Sequence, residues 1–256
     1  MKIVTIGSLK GGVGKTNFAF NLSCFLNLEK NKRILLIDLD PQGNLTQCCQ
    51  LNPHKSLASD LFLNENLEIN SVVCKTNFNK INIIPTNILM ADLEIKLSSQ
   101  FGREFKLRNI IDKNFSYLKN NYDYIIIDTN PSLNISNVNA YSVANNIIIV
   151  SDNSIHSWRA VETIFKMWEA ITKSIKIKNN INAIVLSNFD HYTISKDFTN
   201  NLNDSNLNKF LIKQEIRKKQ KYKLSEITGV PVIKTLKPIE NPYFNIVNEL
   251  EQKGVL

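Results

Sequence analysis

No apolar run in the 256-residue chain approaches the length of a membrane span. The N-terminus, MKIVTIG, lacks the apolar stretch and cleavage site of a secretory signal, so a cytoplasmic location is expected. Cysteine is scarce. Cys24, Cys48, Cys49 and Cys74 form no Cys-x-x-Cys, and the adjacent pair is poorly spaced for a metal, which leaves reduced, mostly buried thiols. His156 and His191 have no carboxylate or cysteine arrangement around them that suggests a metal site. There is no Gly-, Ser- or Pro-rich linker, no repeat and no low-complexity block, so one domain over 1–256 is the economical expectation.

The composition is that of a globular protein, with 43% hydrophobic and 21% charged residues. The net charge of +8 is unevenly spread: the stretch KFLIKQEIRKKQKYK, residues 209–223, holds seven bases and one acid. Such a segment points to a polyanion partner, against the plainer reading of a solvated helix face.

Short apolar runs alternate with helical patterns. KIVTIG (2–7), RILLID (33–38), INIIP (81–85), YIIID (124–128), NIIIVS (146–151) and NAIVLS (182–187) read as strands, and PVIKTL (231–236) is a candidate for one more. Several are continuous apolar runs, as expected of strands covered on both faces. Helices are predicted at about 15–30, 88–99, 104–120, 157–174 and 241–253. This alternation predicts an α/β fold with a doubly wound, mostly parallel sheet flanked by helices. Trp158 and Trp168, ten residues apart on one predicted helix, read as core packing, with a partner surface as the alternative.

In such a sheet, ligands bind outside the carboxyl ends of the strands. After the first predicted strand comes SLKGGVGKTN, residues 8–17. The usual phosphate loop has glycine five residues before the Gly-Lys-[Ser/Thr] glycine. Here that position is Leu9, followed by an extra lysine, Lys10, and the pair Gly11-Gly12. The context is nevertheless right for a phosphate cradle formed by Lys10, Gly11, Gly12, Val13, Gly14, Lys15, Thr16 and Asn17. Glycines let backbone N–H groups converge on phosphate oxygens, and the helix N-terminus adds positive potential. Lys15 is expected on the β- and γ-phosphates and Thr16 on Mg²⁺.

Two further sites fit the same pocket. RILLIDLDPQGN puts Asp38 at a strand end and Asp40 just beyond it, and YDYIIIDTNPSLN puts Asp128 at the end of another strand. Carboxylates there can bind Mg²⁺ through water, and Asp40 is near enough to the loop to orient an attacking water. Alone, each aspartate could be a helix cap or turn former. Together with a phosphate loop they define a metal-assisted phosphoryl-transfer site.

KGGVGKT, LLIDLDPQGN and YDYIIIDTNPSL resemble the three nucleotide motifs of the ParA partition ATPases, among the MinD-like P-loop NTPases. IIPTNILMADLEIKL and KLSEITGVPVI resemble further ParA segments, so the resemblance spans nearly the whole chain and is densest before residue 135. It implies an Mg²⁺-dependent ATPase, slow without a partner, in which Lys10 crosses a dimer interface to the nucleotide of the other subunit. The reading confined to one chain is that Lys10 serves only its own nucleotide. By the same resemblance Asp40 positions the water, and Asp38 and Asp128 support Mg²⁺ and the switch segments. The implied assembly is an ATP-dependent homodimer on nucleoid DNA, released by a centromere-binding ParB-like protein.

The sequence departs from the family pattern in places. The Asp128 motif continues Asn130-Pro131-Ser132-Leu133-Asn134 instead of with two prolines, and Asn17 stands where a second Thr is common. Tyr192 replaces an arginine frequent in DNA-binding members, Lys223 replaces another, and a proline that frames the adenine has no clear counterpart. Arg217, Lys218, Lys219, Lys221 and Lys223 are therefore expected to carry the DNA contacts, to phosphates with no base readout. Five such contacts imply a salt slope of roughly −4 to −5, from about −0.9 per phosphate.

Three alternatives compete. A MinD-like membrane-cycling regulator needs a basic amphipathic C-terminal helix, and NPYFNIVNELEQKGVL has only Lys253, so no membrane partner is expected. An ATPase that positions a protein cargo shares every motif above. A nucleotide-gated interaction protein with negligible turnover is opposed by Lys15, Thr16 and Asp40. The cysteines also lack the setting for a shared iron–sulfur cluster. The chain opens on its first strand, so operator binding by an N-terminal helix-turn-helix is not expected.

Overall fold

The computed structural model describes residues 1–50, 57–64, 66–189 and 205–256. Asp190, His191 and Tyr192 lie outside the described residues.

Seven strands form one sheet among these residues: β1 (Lys2–Gly7), β2 (Ile34–Asp38), β3 (Cys74–Lys75), β4 (Ile81–Ile84), β5 (Tyr124–Asp128), β6 (Asn146–Ser151) and β7 (Ile181–Leu186). Their order is β3-β4-β2-β5-β1-β6-β7, parallel throughout except for the edge strand β3, which pairs antiparallel with β4. This is the mostly parallel sheet expected. Alternate residues of each strand enter two separate cores. Ile125 and Ile127 of β5 point to one, and Tyr124 and Ile126 to the other. Both faces are dry, which is why the strands read as unbroken apolar runs.

One face is covered by α1 (Lys15–Lys30) and by two later helices, α9 (Gln220–Thr228) and α10 (Tyr243–Gln252). The other is covered by α3 (Ala58–Leu63), α4 (Leu93–Leu97), α5 (Lys106–Lys113), α6 (Phe115–Asn121), α7 (Ile135–Val143) and α8 (Ile155–Ile175). A short helix, α2 (Asn44–Cys48), follows β2. Trp168 is fully buried on the α8 side, its indole N–H donating to Asn180 Oδ1 at 2.9 Å, and Trp158 is 8% exposed. Both tryptophans are core residues. The four cysteines are free thiols, three of them buried.

Some predicted elements change form. PVIKTL is not a strand: it becomes a 3₁₀ turn, Val232–Lys234. The Val232 amide is taken by the Asn21 side chain at 2.8 Å, so no neighbouring strand is needed to satisfy it. The edge of β7 is instead lined by residues 211–217. Ile212 N–H donates to Ile184 O, and Ile216 N–H to Leu186 O, each at 2.8 Å. The basic stretch is therefore not one helix. Its first half is an extended strip with Ile212 and Ile216 buried, and its second half leads into α9.

The helix predicted at 104–120 breaks at Asn114, which is buried and accepts from Ile69 N–H while donating to Ile110 O. The 88–99 pattern resolves into a 3₁₀ turn, Ile88–Asp92, followed by α4. Helices α2, α3, α7 and α9 were not anticipated. No helix among the described residues is long and apolar enough to cross a membrane.

Candidate active site

The sheet brings the predicted residues together through register. Ile6 pairs with Asp128, and Asp38 with Asp128, so the ends of β1, β5 and β2 lie side by side. The loop from β1 to α1 crosses above them. Gly14 caps α1 with φ 91°, and a Cβ there would sit 2.8 Å from Ser187 Oγ, so only glycine fits. The loop opens into a cavity of about 1290 Å³, bordered by Gly11, Gly12 and Gly14–Asn17, by Asp40–Gln42, by Asn130 and Pro131, and by Lys218–Gln220.

The two loop lysines sit in different surroundings. Lys15 is buried at the start of α1, and burial holds its ammonium below the ordinary lysine value, partly offset by the Asp128 and Asp40 carboxylates. A nearby anion therefore has a large desolvation cost to relieve. Lys10 is about one-third exposed and bound at the rim, where its ammonium donates to Asp152 Oδ2 at 2.6 Å and to Ser154 Oγ at 2.8 Å. Burial works to raise the pKa of Asp152. The bonds from Lys10, Ser157 and Ser154 outweigh that and hold it below the usual carboxylate range.

The inner carboxylates show the opposite behaviour. Asp38 and Asp128 are fully buried neighbours. Desolvation, with a smaller repulsion from Asp40, pushes Asp38 up to about 6, and desolvation with repulsion from Asp38 pushes Asp128 up to about 8. Asp38 is heavily engaged, accepting at one oxygen from Asp40 N–H and at the other from the Thr46 N–H and hydroxyl. Among the described residues Asp128 accepts only the Thr16 hydroxyl, at 2.6 Å, while its Oδ1 is buried with no hydrogen-bond partner.

That orphaned oxygen, a raised carboxylate pair and a hydroxyl at the phosphate loop form a hard-oxygen set that fits a magnesium ion. Thr16 and Asp128 would hold it. No group of three or more His, Cys, Asp or Glu among the described residues makes a closed metal site, so phosphate oxygens and water would complete the shell. The ion would neutralise charge on the transferring phosphoryl group. Asp40 lines the cavity, and its Oδ1 accepts from Gln42 N–H at 3.0 Å, which fixes the turn that carries it.

The family model described as AAA domain matches residues 1–183. Over 194 residues the chain is 29% identical to the sporulation initiation inhibitor protein Soj of Bacillus subtilis, covering 75% of this chain and 74% of Soj. It is 28% identical to the chromosome partitioning protein ParA of Caulobacter vibrioides, covering 74% and 70%. The chain belongs to the ParA-type P-loop ATPases. The fold of this ParA-type chain is also that of McdA from Cyanothece, solved as an ATP complex. The TM-score is 0.86 over 98% of this chain and 96% of that one, at 20% identity.

Several residues of this ParA-type site escaped the sequence reading. Asp152 sits just past the end of β6, as Asp38 and Asp128 sit at the ends of β2 and β5, and the same strand-end rule would have flagged it. Thr46, which fixes Asp38, lies in a helix that was not anticipated. Glu94 accepts from the N–H groups of Ile135 and Ser136 at 2.8 and 3.0 Å, capping α7 behind the Asp128 loop. In that loop Asn130 Oδ1 accepts from Asn137 Nδ2 at 3.0 Å and from the Ser132 hydroxyl, a polar knot in place of a second proline.

Asn17, expected among the nucleotide residues, lines the cavity, yet its amide is turned to Tyr222 O at 2.5 Å. Of the five cations expected on DNA, all are exposed. Lys218, Lys219 and Lys223 border the same cavity as the phosphate loop, and Lys221 donates to Thr235 O at 3.0 Å.

Proposed function

We propose that the chain is a partition-type ATPase, one P-loop domain in which Mg²⁺·ATP joins two copies face to face and hydrolysis parts them. The observation that carries this reading is the position of Lys10. Its ammonium is held at the rim by Asp152, not by carbonyls of its own loop. A second chain bearing Mg²⁺·ATP presents a stronger anion at that rim, and Lys10 exchanges Asp152 for the partner's γ-phosphate. The triphosphate is then part of the interface, a two-state element biased by its ligand.

Within each site the N–H groups of Gly11–Thr16 and the Lys15 ammonium hold the phosphates. Thr16 and Asp128 would hold Mg²⁺ with Asp38 behind them, and Asp40 would orient the water that attacks the γ-phosphorus. Of the exposed cations Arg217, Lys218, Lys219, Lys221 and Lys223, the second, third and fifth border the cavity, and pairing two such clusters in the dimer doubles the phosphate-binding charge. This supports non-specific, salt-sensitive DNA binding by the ATP form. A ParB-like partner that accelerates hydrolysis would release the dimer from DNA.

Sedimentation tests the reading. Wild-type protein in Mg²⁺·ATP is expected to run as a dimer and in Mg²⁺·ADP as a monomer. Lys10→Ala is expected to bind nucleotide yet remain a monomer in both. A Lys10→Ala protein that dimerises with ATP as the wild type does would refute it.

A further inference from the structure

Asn17 and Asn21 form a buried ladder that leads from the phosphate loop to the helix bearing the basic residues. Asn17 directly follows Thr16, the residue expected on Mg²⁺. Its Nδ2 donates to Tyr222 O at 2.5 Å, and its Oδ1 accepts from Asn21 Nδ2 at 3.0 Å. Asn21 Oδ1 in turn accepts from Val232 N–H at 2.8 Å and from the Ser225 hydroxyl at 3.3 Å. Asn17, Asn21, Tyr222 and Ser225 are all 8% exposed or less.

A buried polar network is costly unless every member is satisfied, and once satisfied it fixes one relative placement of the elements it joins. Apolar contacts between α1 and α9 would cover the same surface with less directional constraint. Hydrogen bonds weaken steeply with misalignment, so a shift of the first turn of α1 is carried to α9 instead of being lost in sliding contacts.

Helix α9 is also joined to the other half of the site. The Cys48 thiol donates to Glu226 O at 3.4 Å, and Gln50 Nε2 donates to Thr228 O. A Cβ on Gly229 would lie 2.6 Å from Cys48 O, so α9 ends tightly against α2. Helix α2 starts four residues after Asp40 and carries Thr46, the anchor of Asp38. Helix α9 is thus bound both to the helix that begins in the phosphate loop and to the helix that begins behind the expected catalytic aspartate. Lys219 caps it, and its first turn carries Lys221 and Lys223.

We propose that Asn17 and Asn21 are positioning residues that couple nucleotide at the loop to the placement of the basic helix α9. This rests on the reading that the loop takes Mg²⁺·ATP and the basic rim takes DNA. The coupling is reciprocal: DNA on the rim raises the affinity for the triphosphate by the factor that the triphosphate raises the affinity for DNA.

Amide hydrogen exchange on the whole protein tests the ladder without DNA. In wild type, saturating Mg²⁺·ATP is expected to slow exchange both at loop amides 11–16 and across 219–228, the latter by about tenfold, within the usual range of coupling between sites. In Asn17→Thr, whose shorter side chain cannot reach Tyr222 O, the loop is still slowed at saturation while the response of 219–228 falls below about twofold. An equal response of 219–228 in the variant, or none in wild type whose loop is slowed, overturns the coupling. A wild-type loop that Mg²⁺·ATP does not slow overturns the nucleotide reading itself, and the coupling with it. Should Asn17→Thr fail to fold, Asn21→Ala gives the same readout at Ser225 and Val232: a reduced response supports the ladder and an unchanged one refutes it.

Discussion

The floor and the rim of the cavity treat negative charge in opposite ways. At the floor, Asp38 and Asp128 are fully buried beside each other and are pushed up to about 6 and about 8. At the rim, Asp152 is half-buried and held below the ordinary carboxylate range by Lys10 and two serines. The floor cannot keep both carboxylates ionised without a cation brought from outside. The Lys10–Asp152 pair at the rim is already neutral, and its lysine is released only to a stronger anion. Metal and triphosphate therefore have separate tasks in one cavity. The metal relieves the floor, and the triphosphate recruits the rim.

The largest expected effect that would break this contrast is on stability against pH. Both floor carboxylates bind their proton more tightly in the folded chain than in the unfolded one, where they titrate near 3.8. Folded protein then carries more protons than unfolded protein between about pH 4 and 8, so stability falls as pH rises through that window. Asp152 and Asp123, whose values are lowered, lose their contributions only at lower pH. The Tm of nucleotide-free protein is expected to drop steadily from pH 5 to pH 8, and Asp128→Asn to flatten that slope. An unchanged slope in Asp128→Asn would show that the floor is not strained by charge.

A smaller effect sharpens the rim. Asp152→Asn removes the carboxylate that competes for Lys10. The pair is partly exposed, with side chains 33% and 20% accessible, so its contribution is modest. Dimerisation in Mg²⁺·ATP is expected to tighten by about fivefold, about 1 kcal/mol for a partly solvated ion pair. Analytical ultracentrifugation across a concentration series measures it, and weaker dimerisation would mean that Asp152 serves the interface instead of opposing it.

The legibility of the sequence divides along related lines. The floor was readable because each component is a local rule: an apolar strand, a glycine turn with Lys-Thr opening a helix, an aspartate at a strand end. Sheet register then had to bring those ends together. The rim and α9 were not readable, because their structure is settled by distant partners. PVIKTL has the apolar pattern of a strand, yet Asn21, more than 200 residues earlier, supplies the bond its amide needs. The basic stretch reads as one charged block, but the buried Ile212 and Ile216 tie its first half to β7. Lys10 could be singled out by its displaced position and Asp152 by the strand-end rule, whereas their pairing across 142 residues needed the fold.

The central claim is that one chain's Lys10 grips the triphosphate held by another chain's Lys15. Mixing two crippled proteins tests it most directly. Lys10→Ala keeps its nucleotide and lacks the crossing amine; Lys15→Ala keeps the crossing amine and lacks the phosphate lysine of its own loop. Each alone is expected to sediment as a monomer in Mg²⁺·ATP, and the mixture to form heterodimers joined by one intact crossing. If the mixture stays monomeric at concentrations where wild type is fully dimeric with a single intact crossing restored in tandem-linked chains, the two lysines do not meet across an interface and the account is contradicted.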